Sequence, residues 1–126
     1  MFANADLIAF IPTRNFKQSR NFYEQMLGLK FISEDPFALV FDANGVMLRI
    51  ANVSTVQDFK PQPFTVLGWR VASVEKMARQ LGNKGVRFER FPGMQQNDLG
   101  IWRSPSGAQI AWFKDPDGNM LSVTEI

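Results

Sequence analysis

The chain has 126 residues, of which 45% are hydrophobic and 21% charged, with a formal net charge of +2: the length and balance of one globular domain with a buried core, and no basic tract of the kind that marks a nucleic-acid partner. It contains no cysteine and no histidine. That excludes disulfides, thiolate and imidazole metal ligands, a thiol nucleophile and a histidine general base.

The N-terminus carries no charged-then-apolar targeting pattern, and no apolar run approaches the ~20 residues that span a bilayer, so a cytoplasmic protein without a membrane partner is expected. Leu7-Ile8-Ala9-Phe10-Ile11 is apolar and β-prone and stops at Pro12, as a strand does. Asn15 then stands as an N-cap with Gln18 three residues on, and Phe16, Tyr23 and Leu27 fall on one helical stripe that Gly28 ends. Tyr23 is therefore expected in the core. Leu29 to Ser33 and Phe37 to Phe41 read as strands, and Asn44-Gly45 as a hairpin turn into Val46-Met47-Leu48-Arg49-Ile50. A polar, proline-bearing stretch over 53–63 serves as a linker.

The second half repeats the order. Thr65 to Val71 is a strand; Ser73 caps a helix with Val74, Met77, Ala78 and Leu81 on one face; Val86 to Glu89 reads as a further strand. A loop rich in Pro, Gly, Gln and Asn follows, and then strands at Leu99 to Arg103, Gln109 to Phe113 and Met120 to Thr124. Between the last two, Asp115-Pro116-Asp117-Gly118-Asn119 is an explicit turn: Asp115 can accept from the backbone ahead of it, Pro116 presets φ, and Gly118 supplies a left-handed residue. The fold class is α+β, as one domain of two tandem β-α-β-β-β modules over about 5–52 and 64–126, whose curved mixed sheets are expected to enclose a cleft.

The closing Asp-Pro-Asp-Gly-Asn turn, together with Ser19-Arg20-Asn21-Phe22-Tyr23-Glu24-Gln25-Met26-Leu27-Gly28, resembles the vicinal-oxygen-chelate superfamily of glyoxalases, bleomycin resistance proteins and extradiol dioxygenases, across nearly the whole chain. The resemblance implies a metal held in the cleft by two His and one Glu. Those positions fall here on Ile8, Val66 and Ser122, none of which is such a ligand. Glu125 lies three residues beyond Ser122, so an alternating strand turns it to the opposite face. No metal site and no cofactor are expected.

If Ile8, Val66 and Ser122 face a cleft, period-two alternation places Phe10, Gly68, Arg70, Met120, Arg49 and Trp112 beside them. Arg49 and Arg70 stand out, because a guanidinium on an apolar wall calls for a carboxylate or a planar ring. The structural alternative is that they bond loop carbonyls, a surface acid or a dimer partner. Trp102 and Trp112 could stack on a flat ligand or serve as packing, while the parity of Trp69 points it beneath the helix. The function expected is metal-independent binding of an apolar or aromatic small molecule through Arg49, Arg70, Phe10, Trp102, Trp112, Ile8, Val66 and Ser122, with no catalytic residue. The alternative is a lyase, isomerase or dioxygenase-type enzyme with an unusual metal site or none. A homodimer is implied by the resemblance.

Overall fold

A computed structural model describes residues 1–126. The chain divides into two compact units, Met1–Lys60 and Pro61–Ile126. Each contains a four-stranded mixed sheet.

The first unit runs β1 (Ile8–Thr13), α1 (Phe16–Arg20), a π-helical turn (Asn21–Met26), β2 (Lys30–Glu34), β3 (Ala38–Ala43) and β4 (Val46–Asn52). Its strand order is β1-β4-β3-β2, with β1 parallel to β4 and the other pairs antiparallel. Pro12 lies inside β1 and does not end it. β1 is an edge strand with a neighbour on one side only, where the missing N–H of proline is tolerated. The Asn15 side chain accepts the N–H of Gln18 at 3.0 Å, capping α1 as its position suggested. The helix does not continue as a regular α-helix to Gly28. From Asn21 it widens, and Leu27 N–H donates to the carbonyl of Phe22 at 2.9 Å. Phe22 and Tyr23, adjacent in sequence, are both buried there, with ring centroids 5.1 Å apart and edge to face. Tyr23 also meets Phe41 on the inner face of the sheet, where Ile11, Leu39, Leu48 and Ile50 complete the core. Asn44 and Gly45 both take positive φ, the mirror-image turn that matches strand twist.

The second unit runs β5 (Thr65–Arg70), α2 (Val74–Asn83), β6 (Trp102–Arg103), β7 (Gln109–Lys114) and β8 (Met120–Glu125), in the order β5-β8-β7-β6 with β5 parallel to β8. Ser73 caps α2, and the carboxylate of Glu125 accepts the N–H of Val74 at 3.0 Å, setting a negative charge at the helix N-terminus. Val74, Ala78 and Leu81 are buried with Ala111, Phe113, Leu121 and Val123. Trp69 shares the inner face with Val123, its partner across the ladder.

Two expected strands shrink. Val86 to Glu89 makes only a bridge from Phe88 to Phe113 and a bond from Glu89 N–H to the Trp112 carbonyl, and Leu99 to Arg103 is reduced to Trp102–Arg103. The cause is Gln96. Its side chain donates to the carbonyls of Glu89 and Gly100 and accepts the N–H of Phe91, so these backbone groups are satisfied by an amide and not by a neighbouring strand.

The closing turn is held by the Asp115 carboxylate. Asp115 accepts the N–H groups of Asp117 and Asn119 at 2.9 Å each and the side-chain amide of Asn119 at 2.8 Å. Gly118 has φ +91°, and a Cβ there would stand 3.1 Å from the Pro61 ring, so both conformation and space demand glycine.

Candidate functional site

In the first unit, cross-strand pairing puts Ile8 beside Met47, Phe10 beside Arg49, and Arg49 beside Val40, all on the face opposite α1. Ile8, Phe10 and Met47 remain 45%, 62% and 43% exposed. Arg49 is half-buried among them. Nearby, the N–H groups of Phe37 and Ala38, at 2.7 and 3.0 Å from Oδ1, hold the Asp35 carboxyl below its usual 3.8, slight desolvation opposes them, and the charge of Arg49 lowers it further.

In the second unit, pairing places Gly68 and Trp112 on either side of Ser122, Arg70 and Ile110 on either side of Thr124, and Trp102 beside Ile110. Arg70, Trp102, Trp112 and Ser122 therefore share one face of this sheet. Gly68 lies close against Ser122: a Cβ on Gly68 would be 2.6 Å from Ser122 Oγ. Val66 departs from simple alternation. The ladder shifts between Thr65 and Leu67, so Thr65 pairs with Met120 and Val66 is the extra residue of a bulge. Thr65 takes the face that alternation assigns to Val66, and Trp112 Nε1–H donates to Thr65 Oγ1 at 3.0 Å.

Around this pair is a pocket of about 230 Å³. Pro63, Phe64 and Thr65 form one side where β5 begins, Phe91 and Met94 reach in from the loop before β6, and Trp112 and Met120 form the sheet wall. Trp112 is its hub. Its ring lies 5.4 Å from Phe91, edge to face, and 6.1 Å from Trp102. Thr65 and Trp112 carry the only hydroxyl and N–H groups among these side chains, and they are bonded to each other. Arg49 and Arg70 do not line this pocket.

Alternation identified Trp112 and Met120, but not Thr65, Phe64, Phe91 and Met94. A bulge and an irregular loop bring those four in, and neither has a periodic signature; the aromatic that opens the Pro- and Gly-rich loop was the one available cue.

The positions where the resemblance puts metal ligands present two hydrocarbon side chains, Ile8 and Val66, and one hydroxyl, Ser122. Nowhere do three Asp or Glu side chains converge, and Glu125, the nearest acid in sequence, caps α2. This donor set does not fit a divalent metal. No helix is long and apolar enough to cross a membrane.

A family model described as the Glyoxalase/Bleomycin resistance protein/Dioxygenase superfamily matches residues 5–123. The "Uncharacterized protein YraH" of Bacillus subtilis (strain 168) is 26% identical over 121 residues, covering 86% of this chain and 88% of its own. Among solved structures, a lactoylglutathione lyase from Agrobacterium tumefaciens superposes with a TM-score of 0.73 at 18% identity, over 97% of this chain and 93% of that one. TnmS3, an antibiotic binding protein from Streptomyces sp. CB03234, superposes with a TM-score of 0.69 at 18% identity, over 99% and 98%. One fold thus carries both a lyase and a binder, and at these identities the likeness extends to the fold alone.

Proposed function

We propose that this chain, which belongs to the Glyoxalase/Bleomycin resistance protein/Dioxygenase superfamily, binds a small apolar or aromatic molecule and leaves it unchanged, without a metal ion. The observation that carries this reading is the pocket of the second unit, walled by Phe64, Phe91, Met94, Trp112 and Met120. Apolar and aromatic walls with very few polar groups are the usual construction of a small-molecule site. A lyase or isomerase would need a proton acceptor beside the bound molecule, and the pocket wall contains no carboxylate, imidazole or amine. An antibiotic binding protein of the same fold is a precedent for a binding role.

Arg70, on the same sheet face as Trp112, is the proposed partner for a carboxylate on a larger ligand in the second unit; Arg49, on the open face of the first sheet, is separately proposed to pair with a carboxylate there. The proposal includes a homodimer, for which the exposed Ile8, Phe10 and Met47 offer an apolar surface; a monomer at every concentration in size-exclusion chromatography would remove it. The central test is a melting-temperature and fluorescence titration with a bicyclic aromatic probe and, separately, with zinc, nickel and ferrous ions. The probe should raise the melting temperature and quench tryptophan emission, and the metals should do neither. A stoichiometric metal complex would sink the proposal.

A further inference from the structure

Thr65 carries the one uncommitted polar hydrogen among the pocket side chains. An indole N–H can only donate, so in the 3.0 Å bond to Trp112 the threonine oxygen is the acceptor. One lone pair is consumed, and the hydroxyl proton engages no other group of the protein. Accepting a bond polarises the O–H and makes it a stronger donor. The remaining wall side chains, Pro63, Phe64, Phe91, Met94 and Met120, bring no competing donor, and the N–H of Trp112 is already occupied.

We infer that the Thr65 hydroxyl is the specificity-determining donor of this pocket, and that it selects flat aromatic molecules bearing an acceptor oxygen at one edge, such as aromatic ketones, over hydrocarbons of the same shape. The inference rests on the pocket reading above and deepens it. A hydrocarbon that covers Thr65 strips water from the hydroxyl and returns no partner, while a ketone replaces the lost bond. Trp112 fixes the hydroxyl, and therefore fixes which edge of the ligand carries the oxygen.

The test uses two probes of nearly equal shape on the full chain, 2-acetylnaphthalene and 2-isopropenylnaphthalene, titrated by quenching of tryptophan emission. The wild-type protein should bind the ketone roughly tenfold more tightly than the alkene, the ordinary yield of one well-made hydrogen bond. Thr65→Val should abolish the preference, so that the two probes bind within about twofold of each other, because the ketone loses its donor and the alkene no longer covers an unpaired hydroxyl. Thr65→Ser should restore the preference, which separates donation from any general disturbance of Trp112. Equal binding of the two probes by the wild type, or a ketone preference that survives in Thr65→Val, would overturn the inference and leave the pocket reading standing. If neither probe binds, the pocket reading itself falls and the inference falls with it.

Discussion

Trp112 and Thr65 lie 47 residues apart and are joined by a 3.0 Å hydrogen bond from the indole Nε1 to the hydroxyl oxygen. Thr65 sits at the start of β5 and Trp112 within β7, with β8 between those strands. The bond therefore spans three strands on one sheet face, and it is made there because the bulge turns Thr65 onto that face.

Removing the hub of this arrangement should abolish most binding. Trp112→Ala deletes the ring against which Phe91 and Trp102 rest, and affinity for 2-acetylnaphthalene is expected to fall about tenfold or more. Trp112→Phe keeps a ring and loses the N–H, so its affinity should lie between. Isothermal titration calorimetry checks both variants, since it does not depend on the emission of Trp112.

Gly68 and Ser122 should be energetically coupled. A methyl group at residue 68 would press on Ser122 Oγ at 2.6 Å, and Ser122 is buried. Gly68→Ala is expected to destabilise the protein by about 2 kcal/mol, and the addition of Ser122→Ala to recover about 1 kcal/mol of that by removing the oxygen. Urea denaturation of the four proteins in the cycle measures the coupling; strict additivity would refute it.

The Asp115 turn should be a point of marked sensitivity. Asp115→Ala strands the N–H groups of Asp117 and Asn119 and the amide of Asn119, all buried. A loss of about 3 kcal/mol is expected. Pro116→Ala, at an exposed residue of the same turn, should cost well under about 1 kcal/mol. Thermal denaturation of the two variants side by side tests the contrast.

Asp35 provides a pH dependence whose sign follows from its bonding. Its carboxyl is held below the usual 3.8 by the backbone N–H groups of Phe37 and Ala38, with help from Arg49. The folded form binds its proton less readily than the unfolded form. The contribution is therefore complete above about pH 3.8 and is lost as pH falls through the lowered folded value. In Asp35→Asn this part of the acid-induced fall in melting temperature should disappear, and a profile identical to the wild type would contradict it.

Much of the architecture was legible because it rests on local chemistry. The Asn15 and Ser73 caps, the Asn44-Gly45 turn and the Asp115–Asn119 turn each satisfy backbone groups within a few residues, so their sequences alone specify them. The failures have the opposite character. The shortened strands around 86–103 reflect the Gln96 amide bonding three separated backbone groups, and the widened turn at 21–26 reflects the burial of two adjacent aromatics against a sheet.

By itself the sequence determined the α+β class, the strand and helix order outside 86–103, the family, and the lack of ligands at Ile8, Val66 and Ser122. The class and element order follow from residue identity and short-range periodicity, and the family and the three positions from the resemblance of the Ser19–Gly28 and Asp115–Asn119 motifs. Only the tertiary structure decided that Thr65 takes the sheet face beside Trp112, and that Phe64, Phe91 and Met94 close a pocket around them. The physical reason is register: one extra residue in β5 puts Thr65 on the pocket face where simple alternation puts Val66, and that extra residue is set by pairing with β8, more than fifty residues away in sequence.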